Sequence, residues 1–341
     1  MQQNRAEIRT DILLSNAQYF RSRAAGAAFC AVVKADAYGH GAAMTAKILS
    51  GTADMFAVSL VEEGVRLRYA GVAEDILVLT PPLCEEEVLR GALHGLVFSA
   101  GDAADYAILE KTAAKYGLCV RCHIKANTGM NRYGFSLPAL RRFLRGKLSD
   151  RVSVEGIYSH FYRPENSAVT QAQFEKFGAF CRLGERAFGR LVKHIAATGG
   201  TLASREYCLD MVRIGIGLYG YLPAGFSLPQ GSISPVMRVY STVAAVHRYA
   251  SGGAGYGDYI PHGKHLATVR SGYADGYLRR TVRGSCLCMD ARVCEALAQK
   301  YDDVCIFSDA DAYARAHGTI PYEVLVHASE RAVKVYVDHE K

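Results

Sequence analysis

The chain has 341 residues, half of them hydrophobic and 21% charged, with a formal net charge of +7. That length accommodates two domains, or one large domain with an extension, and the composition is that of an ordinary folded protein. Its cations are scattered, apart from pairs such as Arg141–Arg142 and Arg279–Arg280, and no run of about 18 apolar residues is present, so neither a nucleic-acid face nor a membrane span is expected.

Residues 1–9 are polar and short. Residues 12–22 carry an amphipathic helix pattern, with Asp11 placed to cap it. Residues 27–33 are all apolar and include two adjacent valines, the profile of a strand buried on both faces in a parallel sheet. That run stops at Lys34 and breaks into a loop of glycine and small residues. Helices are predicted over 42–49, 61–70, 85–92, 103–115, 137–144 and 169–188. Strands are predicted over 55–59, 75–80, 95–99, 119–125, 152–161, 192–198 and 211–219. Roughly eight strand signals thus alternate with helices, which predicts parallel β/α units closing into a (β/α)8 TIM-type barrel, with an open doubly wound sheet as the alternative.

After Pro223 the segments become short and extended, with glycine turns. The stretches at 236–249, 266–276, 285–293, 303–307 and 323–328 read as strands, and 293–300 as one possible helix. We therefore expect a barrel over residues 1–230 and a β-rich C-terminal domain over 231–341, with the first few residues as candidates to pack against the latter. The ten cysteines are irregularly spaced, and the single CxxC, Cys119 to Cys122, has no second pair. Zinc is not expected; reduced thiols and a cytoplasmic location are.

A barrel gathers its strand ends on one face. There the predicted strands leave Lys34 with Tyr38 close behind, Lys125 and then Arg132, Ser159 with His160, Thr198 with Gly199 and Gly200, and Arg213 with Gly215 to Gly217. This set is cationic and rich in glycine, and it holds few carboxylates. It suits an anionic ligand such as a phosphate or carboxylate better than a divalent metal. A lone lysine closing a strand is more often a solvated lysine, and what sets Lys34 apart is the company it keeps.

The stretch AVVKADAYGHG (31–41) resembles the pyridoxal-phosphate lysine motif of the alanine racemases. The resemblance continues through KANTGMNR (125–132), Ser159-His160-Phe161, MVRIGIGLYG (211–220), Tyr256-Gly257, GYADG (272–276), Cys288-Met289-Asp290 and PYEV (321–324). These motifs keep the family's order along nearly the whole chain. The resemblance implies a barrel with a C-terminal β domain, pyridoxal 5'-phosphate as cofactor, alanine as substrate and a head-to-tail homodimer. Lys34 then corresponds to the lysine that holds the cofactor and serves as one base. Tyr256 corresponds to the second base, donated to the other subunit's site. Arg213 corresponds to the residue facing the pyridine nitrogen. Tyr38, Thr198, Gly215, Ile216 and Tyr322 correspond to the phosphate cradle, and His160 to a histidine beside the ring.

Arg132 corresponds to the arginine near the cofactor's phenolic oxygen and the substrate carboxylate, and Lys125 to a lysine often carbamylated. Tyr273, Met289 and Asp290 correspond to residues from the second subunit at the entrance. Asn127, Ala197 and Ile214 depart from the usual aspartate, asparagine and proline, and Thr198 replaces a usual serine while keeping a hydroxyl. The bulk of Tyr322 and Tyr273 favours a small side chain. The implied activity is L- and D-alanine interconversion, supplying D-alanine for peptidoglycan. The alternatives are a serine or broader-specificity racemase and a non-catalytic pyridoxal-phosphate carrier; the latter lacks a reason for the long C-terminal part.

Overall fold

A computed structural model describes residues 4–255, 261–262, 265–278, 285–295 and 298–338. The chain opens with a strand, β1 (Arg5–Arg9), and a helix, Thr10–Arg23. Eight parallel strands follow: β2 (Ala28–Val32), β3 (Met55–Val58), β4 (Asp75–Val78), β5 (Val97–Ala100), β6 (Val120–Lys125), β7 (Val152–Tyr158), β8 (Val192–His194) and β9 (Met211–Ile214). Each pairs with its predecessor from β2 to β8, and β9 returns to β2, with Ala28 opposite Met211 and Cys30 opposite Arg213. The seam between β8 and β9 is drawn together by a parallel bridge between Ala197 and Arg213, whose N–H donates to Ala196 O at 3.0 Å. Because the first barrel strand has the last as its neighbour, the sheet is a nearly closed barrel and not an open doubly wound sheet.

Local chemistry explains the helical layer. The helix Ala103–Tyr116 starts where the Asp102 side chain accepts from Asp105 N and ends at Gly117, in the left-handed conformation. Asn166 caps the helix Ser167–Phe188 in the same way. Asp11 does not cap its helix as expected. It sits in the first turn, bound to the Arg9 guanidinium at 2.7 Å, so a short-range ion pair takes the carboxylate that capping needs.

The barrel interior carries a polar column. Arg121, His123 and Lys125 share one face of β6, at successive heights. Arg121 binds Asp75 of β4 at 2.6 Å and Glu155 of β7 at 2.9 Å. His123 Nδ1 meets His194 Nε2 at 2.9 Å. Room for the His123 ring exists because Gly156 stands opposite: a Cβ there would lie 2.7 Å from the imidazole.

The C-terminal part is built on a sheet of β10 (Met237–Arg248), β11 (His265–Val269), β12 (Ser285–Leu287), β13 (Arg292–Glu295), β14 (Asp303–Phe307) and β15 (Val333–Val337). Its order is β12-β13-β11-β10-β1-β15, with β14 also on β10. The polar N-terminal segment is therefore a strand of this sheet, antiparallel to β10 and parallel to β15. Ala6 and Ile8 are buried, and the charged Arg5, Glu7 and Arg9 that alternate with them are half-buried. Two other readings change. Residues 292–295 form β13 where a helix had seemed possible. Residues 323–328 lie in a helix, Pro321–Ala328, beside a second helix, Ala310–His317, where strands or loops were expected. Pro at the first helical turn and the Asp309 side-chain cap start these helices.

Candidate active site

A cavity of about 630 Å³ opens at the carboxyl ends of the barrel strands and is lined by Lys34, Tyr38, Lys125, Arg132, His160, Thr198, Arg213, Gly215, Ile216 and Tyr322, among others. Those are ten of the residues singled out from the sequence, brought together from β2, β6, β7, the segment after β8, β9 and the C-terminal helix Pro321–Ala328. A cavity of this size suits a small cofactor with a small substrate.

Lys34 follows β2 directly, and its half-buried side chain lines the cavity. Burial, reinforced by the Arg132 guanidinium, holds its pKa below the usual lysine value; Glu63 pulls the other way. Glu63 is anchored beside it, accepting from Ala35 N at 2.7 Å and from Ser59 N at 2.6 Å. After Lys34 the backbone makes a left-handed turn: Ala35, Asp36, Ala37 and Tyr38 have φ of 51°, 53°, 56° and 52°. Such a turn costs about 1–2 kcal/mol per residue for L-amino acids, so tertiary contacts must hold it. Ser329 Oγ donates to Gly39 O at 2.6 Å, Tyr336 OH donates to His40 O at 3.0 Å, and Lys334 pairs with Asp36 at 3.0 Å. All three clamps come from the C-terminal part. The turn swings Tyr38 back toward the cavity, against Tyr219 and Tyr322.

On the opposite wall Arg213 is buried at 3% exposure. Its Nη1 meets His194 Nδ1 at 2.6 Å, and its Nη2 donates to Ser159 O at 2.7 Å and Ile195 O at 3.3 Å, with His160 Nδ1 at 3.4 Å. The guanidinium is thus fixed in its plane and stays a cation despite burial. Burial first, then Arg213, pushes the pKa of His160 and His194 well below the usual imidazole value, so both are neutral. His123, further down the column, is pushed to about 3, by burial first and then by Arg121.

Lys125 is equally buried, with its Nζ 4.1 Å from the centre of the Tyr158 ring. Burial, Arg213, Arg132 and Lys34 together hold its pKa well below that of a free lysine. Tyr158 is itself locked, sharing a 2.7 Å hydrogen bond with Ser99 Oγ and stacked on His194 at 4.9 Å. Arg132, by contrast, is exposed at the mouth, 5.8 Å from the Tyr133 ring. Tyr158, His194 and His123 were not picked out from the sequence. Period-two spacing on β6 and β7, with Arg121, His123 and Lys125 on one face and Gly156 and Tyr158 on the facing one, is the signal that would have found them.

The cradle wall is close-packed backbone. A Cβ on Gly215 would lie 2.8 Å from the Tyr38 hydroxyl, and one on Gly217 would lie 2.9 Å from the Thr198 methyl. Gly217 N donates to Thr198 Oγ1 at 3.3 Å. Ile216 is buried between them and Tyr322 is half-buried. Tyr273, Met289 and Asp290 do not line this cavity. Tyr273 and Met289 are large apolar side chains left 41% and 60% exposed. Their loops are stitched together: Tyr273 N donates to Cys288 O at 3.0 Å and Ala274 N to Met289 O at 2.8 Å. Asp290 lines a separate polar hollow with Arg270, Asp275 and Arg331. Tyr256 lies outside the described residues.

None of the ten cysteines is bridged, and among the described residues no cluster of three or more metal-ligating side chains is found. No helix is long and apolar enough to cross a membrane among the described residues.

Comparison with known proteins fits this geometry. The family model described as alanine racemase, N-terminal domain, matches residues 8–223, and that described as alanine racemase, C-terminal domain, matches residues 236–336. A curated alanine racemase of Desulfovibrio desulfuricans is 33% identical, over 92% of this chain and 92% of its own length. The solved alanine racemase of Clostridium difficile 630 superimposes with a TM-score of 0.90 at 27% identity, over 99% of this chain and 96% of that one. The same protein solved in complex with cycloserine gives 0.89 at 26% identity, over 100% and 97%. The chain belongs to the alanine racemase family.

Proposed function

We propose that this protein interconverts L- and D-alanine with pyridoxal 5'-phosphate as cofactor, supplying D-alanine for peptidoglycan. The observation that carries the reading is one cavity with an amine of lowered pKa, Lys34, on one wall and a fixed, buried cation, Arg213, on the other. The residues fit the cofactor. Gly215 leaves no room for a side chain beside the Tyr38 hydroxyl, and Thr198 and Tyr322 complete a hydroxyl-rich wall for a phosphate.

Bound there, pyridoxal phosphate supplies the electron-withdrawing system that acidifies the Cα–H of an attached amino acid. Lys34 Nζ would hold the cofactor and would also remove or return the Cα proton on one face. Tyr256 Oη does the same on the other face, delivered from a second subunit. Arg213 would face the pyridine nitrogen as a hydrogen-bond donor too basic to give up its proton, which would keep that nitrogen unprotonated. Proton exchange at Cα is thereby favoured over transamination. His160, held neutral, lies against the Arg213 side of the ring site. Arg132, exposed at the mouth, is placed to meet a substrate carboxylate.

The homodimer reading is supported by Tyr273 and Met289, apolar side chains open on the single chain and carried on stitched loops. Covering them with a second copy is the arrangement in which Tyr256 would reach the other chain's cavity. Tyr322 at the cavity, with Tyr273 brought across, leaves space for a methyl side chain.

Purified protein with pyridoxal phosphate and L-alanine in heavy water is the direct test. Deuterium at Cα together with D-alanine is expected, and Tyr256→Phe should keep the cofactor but lose most of the racemisation. Cofactor bound with neither product would overturn the assignment, and a clear preference for serine would move it to another substrate.

A further inference from the structure

Cys286 lies in β12 and Cys288 just beyond it. A Cβ placed on Gly255 would lie 2.8 Å from the Cys286 sulfur and 3.3 Å from the Cys288 sulfur. The two sulfurs therefore converge on one point, covered by a glycine at φ +72°. Cys286 is buried and Cys288 half-buried, while Gly255 itself is exposed. The Cys288 backbone is tied on both sides, its N–H to Ala291 O at 2.7 Å and its carbonyl to Tyr273 N at 3.0 Å. Three residues assigned to the second subunit's site attach to this knot: Tyr256 follows Gly255, Met289 follows Cys288, and Tyr273 is bonded to it.

We propose that Cys286 and Cys288 form a thiol-pair modification site, oxidised by hydrogen peroxide to an intrachain disulfide that displaces Gly255, the residue before Tyr256 in the chain. The functional half of this proposal rests on the reading of Tyr256 as the second base. The step balances: a cysteine thiolate attacks the peroxide O–O bond and becomes a sulfenic acid, releasing the first water. The second thiol then attacks that sulfur, the S–S bond forms and a second water leaves. Two electrons and two protons pass from the thiols to the peroxide. In an extended segment, residues two apart have Cα atoms about 6.7 Å from each other, the long end of what a disulfide spans. Bridging them draws the strand end inward and removes the sulfur floor on which Gly255 rests. A strained disulfide of this kind is easily reduced, so the change is reversible.

Trypsin releases residues 284–292 as one peptide that carries both sulfurs and no other cysteine. Holoenzyme exposed to hydrogen peroxide should yield this peptide lighter by two hydrogens. Racemase turnover should fall roughly 10²-fold, the scale for shifting a reacting group by an ångström. Dithiothreitol should reverse both changes, and Cys286→Ser or Cys288→Ser should hold turnover under peroxide. Two thiols still alkylatable after activity has fallen would overturn the proposal. So would a disulfide that leaves turnover unchanged, or a peptide altered only by oxygen on Met289. A reduced holoenzyme that fails to racemise would strike the functional reading instead, and the peptide mass would still decide the disulfide.

Discussion

Lys125 is the residue whose environment makes the sharpest demand. A lysine amine on a barrel strand is ordinarily charged and wet, yet this one is buried among three other cations and rests on an aromatic face. Its neighbours contribute no carboxylate to its electrostatics, so the charged form is disfavoured from every side. A neutral amine at moderate pH is a nucleophile toward carbon dioxide. Attack forms a C–N bond and releases a proton, converting Lys125 into a carbamate anion. That anion would answer Arg213, Arg132 and Lys34 at once and draw the exposed Arg132 inward. The sign of the pH effect follows. With the pKa lowered, the neutral amine persists below the usual lysine range; acidification through that lowered pKa protonates it and releases carbon dioxide. Enzyme equilibrated with ¹³C-bicarbonate should show a protein-bound carbamate carbon signal that fades on acidification and is absent in Lys125→Met. A wild-type spectrum identical to that variant would leave Lys125 a bare amine.

At the scale of elements, the wall proposed to face a cofactor phosphate is one contact between two turns: the left-handed turn after β2 and the glycine turn after β9. They meet where the Tyr38 hydroxyl approaches Gly215. A Cβ on Gly215 would collide with that hydroxyl at 2.8 Å. Gly215→Ala should therefore weaken cofactor binding by about tenfold or more, since overpacking a tight site costs about 1–3 kcal/mol. Tyr38→Phe in the same chain should restore part of that loss by removing the colliding atom. Fluorescence titration of the apoenzyme checks both, and a double variant no better than Gly215→Ala would mean that the two turns are not coupled. The glycine and the tyrosine were both legible in the sequence, as was the alternation of strands and helices, because buried parallel strands announce themselves by unbroken apolar runs. The left-handed turn was not legible. Alanine, aspartate and tyrosine do not select positive φ, and what holds them there is hydrogen bonding from residues some 300 positions away. The helix at 321–328 was misread for a related reason: an apolar run of this length fits a strand as well as a helix, and only packing decides.

At the scale of the molecule, the N-terminal strand, the barrel and the C-terminal sheet are woven into one body. β1 pairs with strands roughly 230 to 330 residues away, and the C-terminal segment clamps the Lys34 turn. Five residues with three charges do not read as a strand until partners on both sides are present, which is why β1 was invisible in the sequence. The same weaving has a functional consequence. The cavity holds the amine, the cation and the phosphate wall, but Tyr273 and Met289, which the family resemblance assigns to the substrate entrance, lie on loops that do not line it. If the site is completed only by a second copy, Lys34 and Tyr256 of one chain serve different sites. Mixing then discriminates. Lys34→Ala and Tyr256→Phe each make a homodimer with two defective sites. A hybrid of the two has one site with both defects and one site with neither. Unfolding and refolding an equal mixture gives hybrids as half of the dimers, each with one intact site, so activity should return to about a quarter of the wild-type level from two nearly inactive stocks. If Tyr256 acted within its own chain, every site in the hybrid would carry one defect and the mixture would stay as inactive as its parts. Recovery that grows with refolding concentration and reaches about that fraction would assign the second base to the opposite subunit.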